Sequence, residues 1–230
     1  TLGSLDDGIR HSISKLANIH FVSTKEYFNR VKQLGENKKF IFQVGSMGVE
    51  AISHHKKFDK VYLEKQLKLR FNKKNILMTF HSETTKTKEQ NISDLKKCLN
   101  CFKKLNDTSI IITYPGADHN YKSITRTLKT FKKENKNVFL FKSLGHDYYF
   151  SICKKVDFMI GNSSSGIIEM PSFKKATINL GLRQKGRVHS KSVISVEFNE
   201  KKILNAIKKV YSTNYLKILR KSSNPYEKKK

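Results

Sequence analysis

Short apolar runs alternate with amphipathic stretches along nearly the whole chain, and this alternation predicts repeated strand–helix units. Ile9, Ile13 and Leu16 recur at helical spacing, so residues 6–17 read as a helix capped by Asp6. An apolar strand is expected at 19–22. Ser23 or Thr24 then caps a helix that ends near Leu34-Gly35, where a glycine suits a helix stop. A strand at 40–44 closes on Gly45-Ser46-Met47-Gly48. Residues 49–73 are polar and helix-permissive, and the Gly45/Gly48 pair before them marks the best hinge between two domains.

Beyond residue 73, strands are expected at 75–80, 109–113, 138–141, 157–160, 176–180 and 193–196. Helices are expected at about 87–105, 121–134, 146–155, 166–173 and 200–211. The strands are apolar throughout, as in a parallel sheet covered on both faces. The fold class is therefore α/β, built on a Rossmann-like parallel sheet. In such open sheets, ligands sit beyond the carboxyl ends of the strands. His81, Tyr114-Pro115-Gly116-Ala117-Asp118, Lys142-Ser143-Leu144-Gly145-His146, a serine loop and Arg183 each follow a strand. All chemically capable segments thus fall on one rim.

The serine loop, Gly161-Asn162-Ser163-Ser164-Ser165-Gly166, lies between an apolar strand and a predicted helix. Free backbone N–H groups, three hydroxyls and the positive helix end would together receive an anion, and the glycines would let it approach closely. Glu169 sits one turn in, where a carboxylate can accept both hydroxyls of a ribose. Phosphate donors beside a diol acceptor suggest a nucleotide. A second segment, Gly181-Leu182-Arg183-Gln184-Lys185-Gly186-Arg187, offers guanidinium forks to the same anion. The plain alternatives are a serine-rich helix cap and a solvated basic loop.

Charge changes this picture little. The chain has 230 residues with 46 Lys+Arg against 19 Asp+Glu, a formal net charge of +27. Such a surplus can signal nucleic-acid binding. Here it is mostly lysine scattered over helical faces, without an aromatic-interleaved stripe, so nucleic acid is not the expected partner. No apolar run reaches the roughly 20 residues that span a bilayer, so no membrane association is expected and the protein is read as cytoplasmic. Three cysteines make no disulfide framework, and Cys98-x-x-Cys101 falls inside a helical pattern without a second ligand pair. Neither a metal nor a cofactor is expected. Residues 227–230 read as a frayed tail.

Four motifs, in this order, resemble a known family. They are residues 2–16, beginning Leu2-Gly3-Ser4-Leu5-Asp6-Asp7-Gly8-Ile9-Arg10-His11; Thr79-Phe80-His81-Ser82-Glu83-Thr84; the serine loop through Glu169; and Arg183-Gln184-Lys185-Gly186-Arg187. The chain resembles the UDP-N-acetylglucosamine 2-epimerases, most closely the hydrolysing branch that feeds sialic-acid-type sugars. That likeness implies a GT-B-type fold of two Rossmann-like domains facing across a cleft. Residues 1–48 would be the C-terminal part of the first domain, 49–222 the UDP-binding second domain and 223–230 a tail. The chain starts at Thr1 with sequence that reads as mid-domain, so further N-terminal sequence is expected, carrying the acidic residues of proton transfer.

The resemblance also implies the chemistry and its residues. UDP-N-acetylglucosamine would lose UDP by elimination, and hydration would give N-acetylmannosamine. His81 would be the catalytic residue beside the diphosphate. Ser163 and Ser164 would hold phosphate, Glu169 the ribose and Arg183 the nucleotide, with Arg10, His11 and Asp118 as further substrate-binding residues. The family's Pro-Asn-x-Asp pattern has Gly116 in place of the asparagine here. The segment alone would be an inactive half-site. Alternatives are a UDP-2,4-diacetamido-trideoxyhexose 2-epimerase of the legionaminic type, a non-hydrolysing 2-epimerase and a non-catalytic nucleotide-sugar-binding module. A homo-oligomer, dimer or tetramer, is expected.

Overall fold

Six strands carry the larger sheet, and four of them alternate their side chains between two cores. The computed structural model describes residues 5–116 and 120–228. Before the sheet come α1 (Leu5–Leu16), β1 (His20–Val22), α2 (Lys25–Gln33), β2 (Ile41–Gln43), α3 (Met47–His54) and α4 (Lys60–Leu67). The sheet then runs β3 (Lys74–Thr79), α5 (Lys88–Phe102), β4 (Thr108–Thr113), α6 (Tyr121–Glu134), β5 (Val138–Phe141), α7 (Gly145–Lys155) and β6 (Phe158–Gly161). It continues with α8 (Ser165–Ile168), β7 (Ala176–Leu180), β8 (Val193–Val196), α9 (Glu200–Val210) and α10 (Thr213–Lys221).

All six strands are parallel, in the order β5-β4-β3-β6-β7-β8. Counted within the sheet this is 3-2-1-4-5-6, the doubly wound order, and it reverses direction between β3 and β6. Ile76, Met78, Ile110, Ile112 and Ile160 point to a core shared with α5, α6 and α9. Leu77, Ile111 and Met159 point to the opposite core, with Leu63 of α4 and Ile152 of α7. The period of two along each strand is what lets one sheet hold two cores.

The element reading holds with local exceptions. Thr24 is the cap of α2, accepting from Tyr27 N at 3.2 Å. Thr87 and Gln90 form a reciprocal capping box at the start of α5. The helix expected at 166–173 is instead the four-residue α8 followed by a 3₁₀ turn, Met170–Phe173. Pro171 has no N–H to continue the ladder and its ring would clash with the preceding turn, so the helix restarts there. The sequence reading also has no helix at α10, which buries Tyr215 and Leu219.

β1 and β2 pair in parallel as a separate two-stranded sheet. Ile9, Ile13 and Leu16 of α1 do share a face, but that face is exposed, at 59%, 59% and 84%. The residue just before the segment expected to fray is docked. Tyr226 is 1% exposed. Its hydroxyl donates to Val188 O at 2.7 Å and lies 3.0 Å from the Tyr27 hydroxyl, and its carbonyl accepts from Ser46 N at 2.9 Å. Ser172 also donates to the Glu227 carboxylate at 2.7 Å. No helix among the described residues is long and apolar enough to cross a membrane.

Candidate functional site

The strand order puts the ends of β3 and β6 side by side, and the chain is tightest there. A Cβ on Gly161 would lie 2.0 Å from Thr79 O, and Gly161 has φ +136. Only glycine fits that approach. The next residue, Asn162, is fully buried. Its side chain imitates one more rung of the sheet. Oδ1 accepts from His81 N at 2.7 Å, and Nδ2 donates to His81 O at 2.8 Å. Its carbonyl accepts from Arg183 Nη1 at 3.2 Å and from Gln184 Nε2 at 2.8 Å. One buried asparagine therefore ties the loops after β3, β6 and β7 together, immediately before Ser163.

His81 is half-buried. Gly116 N donates to its Nδ1 at 3.3 Å. In the neutral ring the proton then resides on Nε2, which becomes the donor nitrogen. Position 116 thus serves through its backbone, where the resembled pattern has an amide side chain.

The serine loop differs from its expected form in one respect. α8 has only four residues, so little dipole accumulates behind it, and the donors are local amides and hydroxyls. Ser163 Oγ accepts from Ser165 N at 3.3 Å, and Ser165 Oγ lies 2.6 Å from the Tyr149 hydroxyl. Ser164, Ser165 and Glu169 line a cavity of about 500 Å³ with Met47 and Gly48 of α3 and His146 of α7. Gly48 carries no side chain for a reason: a Cβ there would lie 2.7 Å from Glu169 Oε1.

Glu169 Oε2 is buried without a hydrogen-bond partner among the described residues. Burial holds this carboxyl above the ordinary carboxylate range, although the Ser165 hydroxyl, Arg187 and His146 act in the other direction. A desolvated carboxylate with an unfilled acceptor is suited to hydroxyl donors from a ligand.

The structure brings His81, Ser163, Ser164, Glu169 and Arg183 to one rim. Arg10 and His11 lie exposed on α1, with His11 Nε2 3.8 Å from Asp7. Asp118 lies outside the described residues. Sequence reasoning passed over Asn162, Gln184, Tyr149 and Gly48. Asn162 was legible as the one amide between strand end and serine run, whereas Tyr149 carries no local signal, because only the packing of α7 aims it at Ser165. Cys98 and Cys101 are buried on α5, and burial pushes the Cys101 thiol up to about 11. Among the described residues no group of three His, Cys, Asp or Glu is placed to hold a metal ion.

The chain is similar to known proteins over most of its length. The family model described as UDP-N-acetylglucosamine 2-epimerase matches residues 1–230. The chain is 40% identical over 201 residues to a GDP/UDP-N,N'-diacetylbacillosamine 2-epimerase (hydrolyzing) of Campylobacter jejuni, covering 87% of this chain and 52% of that protein. It is 39% identical over 232 residues to the polysialic acid biosynthesis protein P7 of Escherichia coli, covering 98% and 57%. The chain thus spans about half the length of these relatives.

Two solved structures share the fold. The S. aureus MnaA–UDP co-structure has a TM-score of 0.73 at 18% identity, over 94% of this chain and 58% of that one. The Neisseria meningitidis UDP-GlcNAc 2-epimerase bound to UDP-GlcNAc has a TM-score of 0.67 at 20% identity, over 93% and 58%. With a family match over its whole length and a Rossmann-like GT-B-type fold, this chain belongs to the UDP-N-acetylglucosamine 2-epimerase family.

Proposed function

We propose that this chain supplies the UDP-binding half of a hydrolysing UDP-N-acetylglucosamine 2-epimerase. The observation that carries the reading is the convergence of His81, Arg183 and the serine loop on Asn162, where the sheet order reverses. Donors gathered at a switch point suit a diphosphate, and Glu169 suits the ribose diol beside it. Residues 1–48 belong on this reading to the first domain, and the exposed face of Ile9, Ile13 and Leu16 is where the rest of that domain packs.

In the reaction, the C1–O bond of the sugar breaks and UDP leaves with the bonding electrons. A base takes the C2 proton, and a C1=C2 double bond forms. Water then adds hydroxyl at C1 and hydrogen at C2 from the opposite face, so UDP-N-acetylglucosamine plus water gives N-acetylmannosamine plus UDP. Charge grows on the diphosphate in the first step. Arg183, the hydroxyls of Ser163 and Ser164 and the Nε2 proton of His81 stabilise it. The carboxylates that move the C2 proton are assigned to the first domain. Arg10, His11 and Asp118 are assigned to the sugar side of the cleft.

The test is an assay of the full-length protein in deuterated water, with UDP-N-acetylglucosamine and UDP-2,4-diacetamido-trideoxyhexose as parallel substrates. Relatives named for diacetylbacillosamine make the second substrate necessary. Free UDP together with N-acetylmannosamine carrying one deuterium at C2 is the expected result. A product still linked to UDP, turnover of the trideoxyhexose alone, or UDP binding without turnover would each overturn it.

A further inference from the structure

Glu83 is a buried carboxylate whose role neither sequence nor resemblance assigns. It is 6% exposed and follows His81 by two residues. Its Oε1 accepts from the backbone N–H of Leu182 at 3.3 Å, across 99 residues of chain. Leu182 directly precedes Arg183. A Cβ on Gly181, where φ is +70, would lie 2.4 Å from the same Oε1 and 2.4 Å from Phe198 Cε2. The loop after β7 therefore passes so close to Glu83 that only a glycine can precede the hydrogen bond.

Glu83 is itself rigidly held. Asn91 Oδ1 accepts from Glu83 N at 2.8 Å, and Asn91 Nδ2 donates to Glu83 O at 3.1 Å. Lys86 Nζ sits 3.0 Å from Glu83 Oε2 and 2.9 Å from Asp94 Oδ2. Burial disfavours the charge on Lys86, but the two carboxylates outweigh it, and its pKa lies above the ordinary lysine value. The charge of Glu83 is thus matched by Lys86, and its other oxygen is left for the loop. Arg183 is then fixed on both sides, by Glu83 through the preceding amide and by Asn162 through its own guanidinium and Gln184.

We propose that Glu83 is a positioning residue that orients Arg183 toward the diphosphate by holding the Leu182 amide. This deepens the UDP-site reading and rests on it. What matters is the reach of the acceptor rather than its charge. Glu83→Gln keeps an oxygen at the same reach without the charge, whereas Glu83→Asp keeps the charge one methylene short.

UDP titrations of the full-length protein by calorimetry separate these, with circular dichroism melts run on every variant. Glu83→Asp and Glu83→Ala are expected to bind UDP about tenfold more weakly, the effect of one well-made hydrogen bond, and Glu83→Gln within about threefold of the unmodified protein. Arg183→Ala is also expected to weaken binding, and adding Glu83→Asp to it should cost nothing more, a non-additivity that a merely structural role would not produce. Weak binding by Gln with normal binding by Asp would overturn the proposal, as would additive losses in the double variant. Normal binding by Glu83→Asp beside weakened Arg183→Ala would overturn this proposal alone. Normal binding by Arg183→Ala and by Ser163→Ala would overturn the UDP site as well.

Discussion

Replacing Glu169 separates its cost to folding from its contribution to UDP binding. In the unliganded chain Glu169 Oε2 is buried and unpaired, and burial raises its pKa. A carboxyl with a raised folded-state pKa binds its proton more tightly folded than unfolded. Stability therefore falls as pH climbs from the ordinary carboxylate range through the folded-state value, and the loss persists at every higher pH. Glu169→Gln removes that titration. Its melting temperature should exceed that of the unmodified chain at pH 7.5 and converge with it at pH 4.

Bound UDP should reverse the balance, because the ribose hydroxyls donate to the carboxylate. Two hydrogen bonds to a charged acceptor, each worth about 1.5–3 kcal/mol before the cost of ordering the ligand, imply that Glu169→Ala loses about 2–4 kcal/mol of UDP binding. That corresponds to roughly 30- to 1,000-fold in Kd. The assay is isothermal titration with UDP and with 2'-deoxy-UDP, on the unmodified chain and on Glu169→Ala. The unmodified chain should prefer UDP by about tenfold or more, and the variant should treat both ligands alike. If the variant discriminates between them as well as the unmodified chain does, Glu169 does not hold the ribose, however much affinity it has lost.

Gly48→Ala should leave the melting temperature nearly unchanged, because the new Cβ meets only the flexible end of Glu169 at 2.7 Å, yet weaken UDP binding by displacing that carboxylate; titration beside a melt checks both. Gly161→Ala should destabilise by roughly 3 kcal/mol or more in urea unfolding, since its Cβ would meet the Thr79 backbone at 2.0 Å in a conformation only glycine adopts readily. Tyr226→Phe should lose about 1–2 kcal/mol in the same assay and also weaken UDP binding, because its hydroxyl anchors Val188 beside Arg187.

Much of the site was legible because its parts are local. The run Gly161-Asn162-Ser163-Ser164-Ser165 announces a strand end, a close approach and a cluster of donors within a few residues. Parallel strands then place every strand end on one edge, so the location of His81 and Arg183 followed from topology rather than from side-chain detail. The short α8 was legible too, in Pro171, whose missing N–H interrupts a helix that the apolar pattern alone reads through. The docking of Tyr226 was not, because its partners Tyr27 and Val188 are 199 and 38 residues away.

By itself the sequence determined the order of strands and helices, the two-sided burial of the sheet and the chemistry available at its rim. Those properties depend on spacing along a few turns of backbone, where periodicity and glycine or proline act directly. Only the tertiary structure decided that β3 and β6 are neighbours, that a buried asparagine joins three loops and that Glu83 reaches Leu182. These depend on strand order and on contacts between residues far apart in the chain, and the energy of such contacts exists only once the chain has closed on itself.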